Sequence, residues 1–360
     1  MSLLFDAATF GTLSLPNRLV RSATAERMAD DDGRPLAELL HLYRDLARGG
    51  VGLIITGHMY VHPAGRCHLG MTGIYDDALI PGLAALVEAV HREGGKIAVQ
   101  INHGGMQCAR DSVAVTVAPS AVDAPFLPQP ARAMTPDEIE SAIDAYAQAA
   151  RRAQAAGFDA VQLHGAHGYL INQFLSPFVN RRTDGWGGDL ENRMRFLRAV
   201  CAAVRAQVGP EYPLFIKLGM VDGVEGGLTL DESARVVAAL AEMGLDAVEL
   251  SGGITAGTIQ NSKAGIRIYE DEAYFRHFAQ AARPVTSLPL MLVGGFRSRQ
   301  VMDDVLDSGD ADFISLCRPL IAEPDLPKRL QQGQARAACI SGNRCWPKAE
   351  GEGIACRCLD

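Results

Sequence analysis

Residues 158–170 read FDAVQLHGAHGYL. The first eight form a short, mostly apolar run that closes on glycine, the pattern of a strand buried on both faces of a parallel sheet. Seven more runs share that character: NRLVRSA (17–23), VGLIITG (51–57), KIAVQIN (96–102), PLFIKLG (213–219), DAVELSGG (246–253), PLMLVGG (289–295) and ADFISLCRP (311–319). The segments between them carry helical periodicity. In one, Thr135 precedes PDEIESAIDAYAQAARRAQAAG, with Pro136 in the first turn, Glu138 three residues past the cap and Gly157 at the end. Both the start and the stop of a helix are thereby written in. Eight strand and helix units predict an α/β fold of the (β/α)8 TIM-barrel type. A doubly wound open sheet would share the alternation, but RSATAERMADDDGRP (21–35) after the first run lacks G-x-G-x-x-G. Residues 4–16, LFDAATFGTLSLP, read as a hairpin that lids the barrel's bottom, with Gly11 at the turn. One barrel over 1–335 is expected, then a short cysteine-containing tail over 336–360.

Composition narrows the function classes. The 360 residues are 48% apolar, enough for a large core, and the net charge of -8 comes from 34 basic and 42 acidic residues spread along the chain. No Lys/Arg stripe suits a phosphate backbone, so nucleic acid is not an expected partner. No apolar stretch approaches the roughly 18 to 20 residues of a spanning helix. The N-terminal MSLLFDAATFG carries no basic leader, so no membrane association and a cytoplasmic location are expected. The eight cysteines read as thiols or ligands rather than as a disulfide framework.

In a barrel the loops after the strands converge on one mouth, so the residues there carry the chemistry. After the first strand come Ser22, Ala23 and Thr24, then Gly57, Gln100, the His164, His167 and Tyr169 group, Lys217, Ser251, Gly294 with Gly295, and Arg318. H-x-x-H is either half a metal site or a pair of hydrogen-bond donors. A mouth poor in carboxylates favours donors, because hydrolytic zinc barrels need further ligands and a general base. Gly294, Gly295 and Arg318 suit a phosphate. With a cation at Lys217 and an amide at Gln100, the mouth suits a planar, phosphorylated, electron-accepting ring.

Five blocks, LFDAATFGTLSLPNRLVRSAT, VQINHGG, FDAVQLHGAHGYLINQFLSPFVNRRTDGWGGDLENRMRF, VGGFRS and ADFISLCRPLIAEPDLPKRL, together resemble the old yellow enzyme family. The resemblance implies a barrel that holds FMN, takes hydride from NADH or NADPH in a ping-pong cycle, and passes it to a small activated alkene such as an enone, enal, nitroalkene or maleimide. It implies His164 and His167 as donors to the substrate's carbonyl or nitro oxygen and Tyr169 as proton donor. For the cofactor it implies Ser22, Ala23 and Thr24 along the ring, Gln100 and Lys217 at its pyrimidine edge, and a backbone contact at Gly57. Gly294, Gly295, Cys317 and Arg318 would surround the phosphate. A homo-oligomer is in keeping with such relatives. Related multidomain reductases carry an iron-sulfur motif after the barrel. Here CISGNRCWPKAEGEGIACRC (339–358) has Gly342 where the second cysteine is expected, which reads as a degenerate cluster motif, with metal binding by Cys339, Cys345, Cys356 and Cys358 left open. The alternatives are a flavin-dependent dehydrogenase or demethylase running oxidatively, and a metal-dependent TIM-barrel hydrolase.

Overall fold

The computed structural model describes residues 2–347 and 352–358. Residues 348–351, 359 and 360 of the expected tail lie outside these. Eight strands form the barrel: β1 (Leu19–Arg21), β2 (Leu53–Ile55), β3 (Ile97–Asn102), β4 (Ala160–Gly165), β5 (Leu214–Gly219), β6 (Ala247–Ser251), β7 (Leu290–Val293) and β8 (Phe313–Leu316). All neighbours are parallel, β8 pairs with β1, and β2 pairs with β3, so the sheet closes on itself. Each strand falls inside one of the eight runs read from the sequence. A short extra strand, Met59–Tyr60, continues from β2 and pairs with the end of β3.

Helices wrap the outside. The helix Pro136–Ala156 has the expected capping box, in which Thr135 accepts from the Glu138 amide while the Glu138 carboxylate accepts from the Thr135 amide. It ends at Gly157, whose φ of 88° is left-handed and suits glycine. Its buried face, with Ile139, Ile143 and Tyr146, joins the main core shared with the helix Leu190–Val208. Among the described residues no helix is long and apolar enough to cross a membrane.

Strand periodicity organises the interior. Side chains at alternate positions point inward, and the lowest layer is apolar throughout: Val20, Ala98, Ala160, Phe215, Ala247, Met291 and Phe313. The hairpin of Ala8–Phe10 and Leu13–Leu15 closes this end, turning at Gly11, where φ is 50°. Phe10 lies edge-on to Phe215 and Phe313, with ring centroids 5.2 and 6.0 Å apart. Such a buried aromatic contributes roughly 1.5–3 kcal/mol from burial alone. Two residues further along the strands the interior turns polar, with Ser22, Gln100, Gln162, Lys217, Glu249 and Ser315 all buried.

β7 and β8 stop short of the runs 289–295 and 311–319. Gly294 and Gly295 leave the strand at φ of 152° and 78°. After Leu316, Cys317 caps the short helix Arg318–Ala322, with proline in its first turn. These exits turn the last two strands out toward the mouth.

Candidate active site

A cavity opens at the C-terminal ends of the strands, with about 1200 Å3 of empty space counting its open mouth. His164, His167 and Tyr169 come together on one side of it. The His164 and His167 rings are 5.3 Å apart, and Tyr169 sits 4.7 Å from His164, ring centre to ring centre. His167 adopts a left-handed φ of 61°, a costly conformation for a residue with a Cβ. Its surroundings impose it: Gln107 donates to the His167 carbonyl at 3.2 Å, and the Gly168 amide donates to Asn172 Oδ1 at 2.7 Å. The His167 ring is tied by Nε2 to Ser251 Oγ at 2.8 Å. His164 Nδ1 accepts from the Ala166 amide at 3.4 Å, which leaves the N–H on Nε2.

The local field fixes the protonation states. Burial, then the neighbouring His167, His58 and Lys217, holds His164 well below the usual imidazole range. Burial and Lys217 push His167 down to about 3. Burial, with Cys67 and Cys108 nearby, pushes the Tyr169 phenol up. At neutral pH this corner therefore presents two uncharged imidazoles, each able to donate one N–H, beside a protonated phenol.

Beneath the cavity lies a hydrogen-bonded layer in which the expected Ser22, Gln100 and Lys217 are joined by two residues not expected there, Gln162 and Glu249. Lys217 Nζ donates to Ser22 Oγ at 2.7 Å and pairs with Glu249 Oε1 at 3.1 Å. Ser22 Oγ donates to the same carboxylate oxygen at 2.6 Å. Gln162 donates to Glu249 Oε2 at 2.9 Å, and Gln100 donates to Gln162 Oε1 at 2.6 Å. Glu249 is fully buried; burial opposes its charge, but Lys217, Ser22 and Gln162 outweigh that and hold its carboxyl below the usual range. Gln162 and Glu249 lie inside the runs 158–165 and 246–253, and neither was singled out from the sequence. Their signal was the two-residue alternation that aligns Glu249 with Ser251 and Gln162 with His164.

His58 is a second omission. The extended chain after β2 carries it into the cavity wall, where Asn102 Nδ2 donates to its Nδ1 at 2.8 Å and its ring lies 5.0 Å from Tyr169.

The other expected residues divide into two groups. Ala23, Thr24, Gln100, Lys217, Gly295, Cys317 and Arg318 line the cavity. Ser22 lies behind Lys217, and Gly294 lies behind the wall, its carbonyl accepting from the Tyr274 amide. Gly57 also stands back, because its N–H donates to Glu26 and to the Tyr43 hydroxyl. A Cβ at Gly57 would lie 2.0 Å from Glu26 Oε2, so glycine there admits the carboxylate that pairs with Arg21.

The tail folds back over the mouth. Ser341, Asn343, Cys345, Trp346 and Ile354 complete the cavity wall. Arg318 donates to Asn343 Oδ1 and, at 2.9 Å, to the Lys263 carbonyl. Among the described residues no group of three or more His, Cys, Asp or Glu side chains is placed to hold a metal ion.

These donors fit a flavin mononucleotide. Ser315 Oγ is buried in the cavity wall without a hydrogen-bond partner. Lys217 keeps one of its three N–H groups, Gln100 keeps its carbonyl, and Arg318 brings a guanidinium to the cavity wall.

Comparison with known proteins agrees. The model of the NADH:flavin oxidoreductase / NADH oxidase family matches residues 3–337. The NADH oxidase of Thermoanaerobacter brockii is 37% identical over 353 residues, which cover 94% of this chain and 52% of the relative, so the chain spans about half that protein's length. The NADPH dehydrogenase of Halalkalibacterium halodurans is 34% identical over 346 residues, covering 95% of this chain and 98% of the relative. The solved old yellow enzyme homologue from Zymomonas mobilis superimposes with a TM-score of 0.79 at 30% identity, over 93% of this chain and 94% of its own. Membership implies FMN as cofactor and NAD(P)H as reductant. A closed parallel barrel, hydrogen-bonding side chains at its mouth and a family match over nearly the whole chain lead to one assignment: this chain belongs to the NADH:flavin oxidoreductase / NADH oxidase family, the old yellow enzymes among them.

Proposed function

We propose that this chain reduces activated C=C bonds of small molecules, using FMN reloaded by NAD(P)H in a ping-pong cycle. The observation that carries the reading is the packing of two neutral histidines and a protonated tyrosine against one another at one side of the cavity at the barrel mouth. FMN, when bound, supplies the hydride that passes from nicotinamide to alkene. The protein supplies the rest. Gln100 and Lys217 hold the edge of the ring system, while Ser315, the backbone around Gly295 and Cys317, and the free N–H groups of Arg318 hold the phosphate.

His164 and His167 take the carbonyl or nitro oxygen of the alkene. Because both are neutral, they donate without placing a full cation in the pocket, and their donation strengthens as negative charge grows on that oxygen. A preorganised donor of this kind contributes about 3 kcal/mol. For His167 the role requires Ser251 to give its hydroxyl proton to Nε2, so that Nδ1 carries the N–H. Tyr169 holds its proton because burial disfavours the phenolate, and it delivers that proton to the α-carbon as general acid.

The test uses purified full-length chain. It should be yellow, carry FMN, lose its colour under anaerobic NADH or NADPH, and regain it on addition of an enone, enal, nitroalkene or maleimide. Colourless protein that takes up no FMN, or bleached protein that none of these alkenes recolours, would overturn the reading.

A further inference from the structure

We infer that Glu249 is a positioning residue that sets both the hydrogen-bond polarity and the redox poise of the flavin site; the inference rests on the function proposed above. A carboxylate only accepts hydrogen bonds. With Glu249 fully buried and ionised, Gln162 must turn its NH2 toward Oε2, at 2.9 Å. That turns the Gln162 carbonyl toward Gln100, which must answer with its own NH2, at 2.6 Å. The Gln100 carbonyl then takes no bond within the layer, and because Gln100 lines the cavity that oxygen is available to a ligand as an acceptor. A single buried charge thus dictates, across two amides, that Gln100 offers an acceptor.

On its other side Glu249 Oε1 takes Ser22 Oγ at 2.6 Å and Lys217 Nζ at 3.1 Å, and Lys217 also reaches Ser22 Oγ at 2.7 Å. Two of the three ammonium protons are committed below the cavity, and the remaining one is a donor for the ligand. The layer therefore presents an acceptor at Gln100 and a cationic donor at Lys217, the complement of a ring edge that alternates N–H and C=O. Had position 249 been neutral, either amide could reverse and the pattern would be lost.

The same charge has an electrostatic consequence. Lys217 by itself favours the more negative, reduced form of a flavin bound above it. Glu249, 3.1 Å from the ammonium and out of water, cancels much of that field, because charges in the interior are weakly screened. The ion pair holds the flavin at a lower potential than the lysine alone would, which favours giving hydride to an alkene over keeping it.

Glu249→Gln tests both halves. With FMN bound, its midpoint potential should rise by about 30 mV or more, a tenfold change in a two-electron equilibrium constant. Reduction by NAD(P)H should speed up while reoxidation by an enone slows. A potential equal to or below that of the parent overturns the inference, even where the variant binds FMN more weakly, since lost packing alone does not move a potential in this direction. If Glu249→Gln does not fold, Gln162→Met cuts the relay and leaves the ion pair. It should weaken FMN binding by about tenfold, the worth of one buried hydrogen bond, with the potential unchanged; unaltered affinity overturns the inference. A parent protein without FMN defeats the proposed function instead, and is recognised before either variant is made.

Discussion

Two layers of the barrel interior, one strand repeat apart, behave as opposites. At the bottom, Val20, Phe215, Met291 and Phe313 meet the hairpin's Phe10, Leu13 and Leu15 in a wholly apolar plug. One inward position higher, Ser22, Gln100, Gln162, Lys217 and Glu249 are just as buried and wholly polar. The lower layer is held by area removed from water, is non-directional and tolerates exchange of one apolar side chain for another of similar volume. The upper layer is held by hydrogen bonds that each require a particular partner in a particular orientation, because an unpaired buried polar group costs about 1–3 kcal/mol. The bottom therefore decides whether the barrel stands, and the mouth decides what it does.

The sharpest way to break that division is Tyr169→Phe. Losing the general acid should slow alkene reduction by about 10²–10⁴-fold, while flavin reduction by NAD(P)H and the melting temperature stay near the parent values. Rapid-mixing measurements of the two half-reactions check this, and equal slowing of both would remove Tyr169 from the proton-donor role. At the other end, Phe215→Ala should cost about 3–5 kcal/mol of stability through the cavity it leaves beside Phe10. Denaturant unfolding measures that loss, and the flavin potential of the folded fraction should not change. A shifted potential would mean that the two layers are mechanically coupled.

How much of this was legible in the sequence follows the same division. The strands could be read because near-continuous apolar runs bounded by glycine have few other uses, and the helix Pro136–Ala156 could be read because its caps are local. His164, His167, Tyr169, Gln100 and Lys217 were legible as polar residues at strand ends. Glu249 was not, because a run such as DAVELSGG was treated as hydrophobic as a whole, although its alternation places Ala247 in the plug and Glu249 directly above. Gly57 was assigned a cofactor contact, whereas its N–H is committed to Glu26, 31 residues away, a pairing that no local pattern announces. The tail's return over the mouth was equally invisible. It rests on long-range bonds such as Arg318 to Asn343 and the Ile354 amide to the Glu26 carbonyl, which have no periodic signature.

Acid should separate the two layers most gently. His58 and His164 are held well below the usual imidazole range by burial, His68 is lowered to about 4, and His103 and His167 are lowered to about 3. All lie in the mouth or the loops above it, and the apolar plug contains no titratable group. In the unfolded chain each histidine titrates near 6.5, so as pH falls below that value the unfolded state gains protons that the native state refuses. Stability is therefore full above about pH 6.5 and declines as pH drops, and for His167 the decline continues until about 3. One such histidine contributes a slope of up to about 1.4 kcal/mol per pH unit. His167→Asn should flatten the plot of unfolding free energy against pH between about 6 and 4 by no more than that amount. Phe215→Ala should lower the same plot without changing its slope there. If the slope of His167→Asn matches that of the parent, His167 is not held neutral in the folded protein, and the uncharged donor pair assigned to the mouth fails with it.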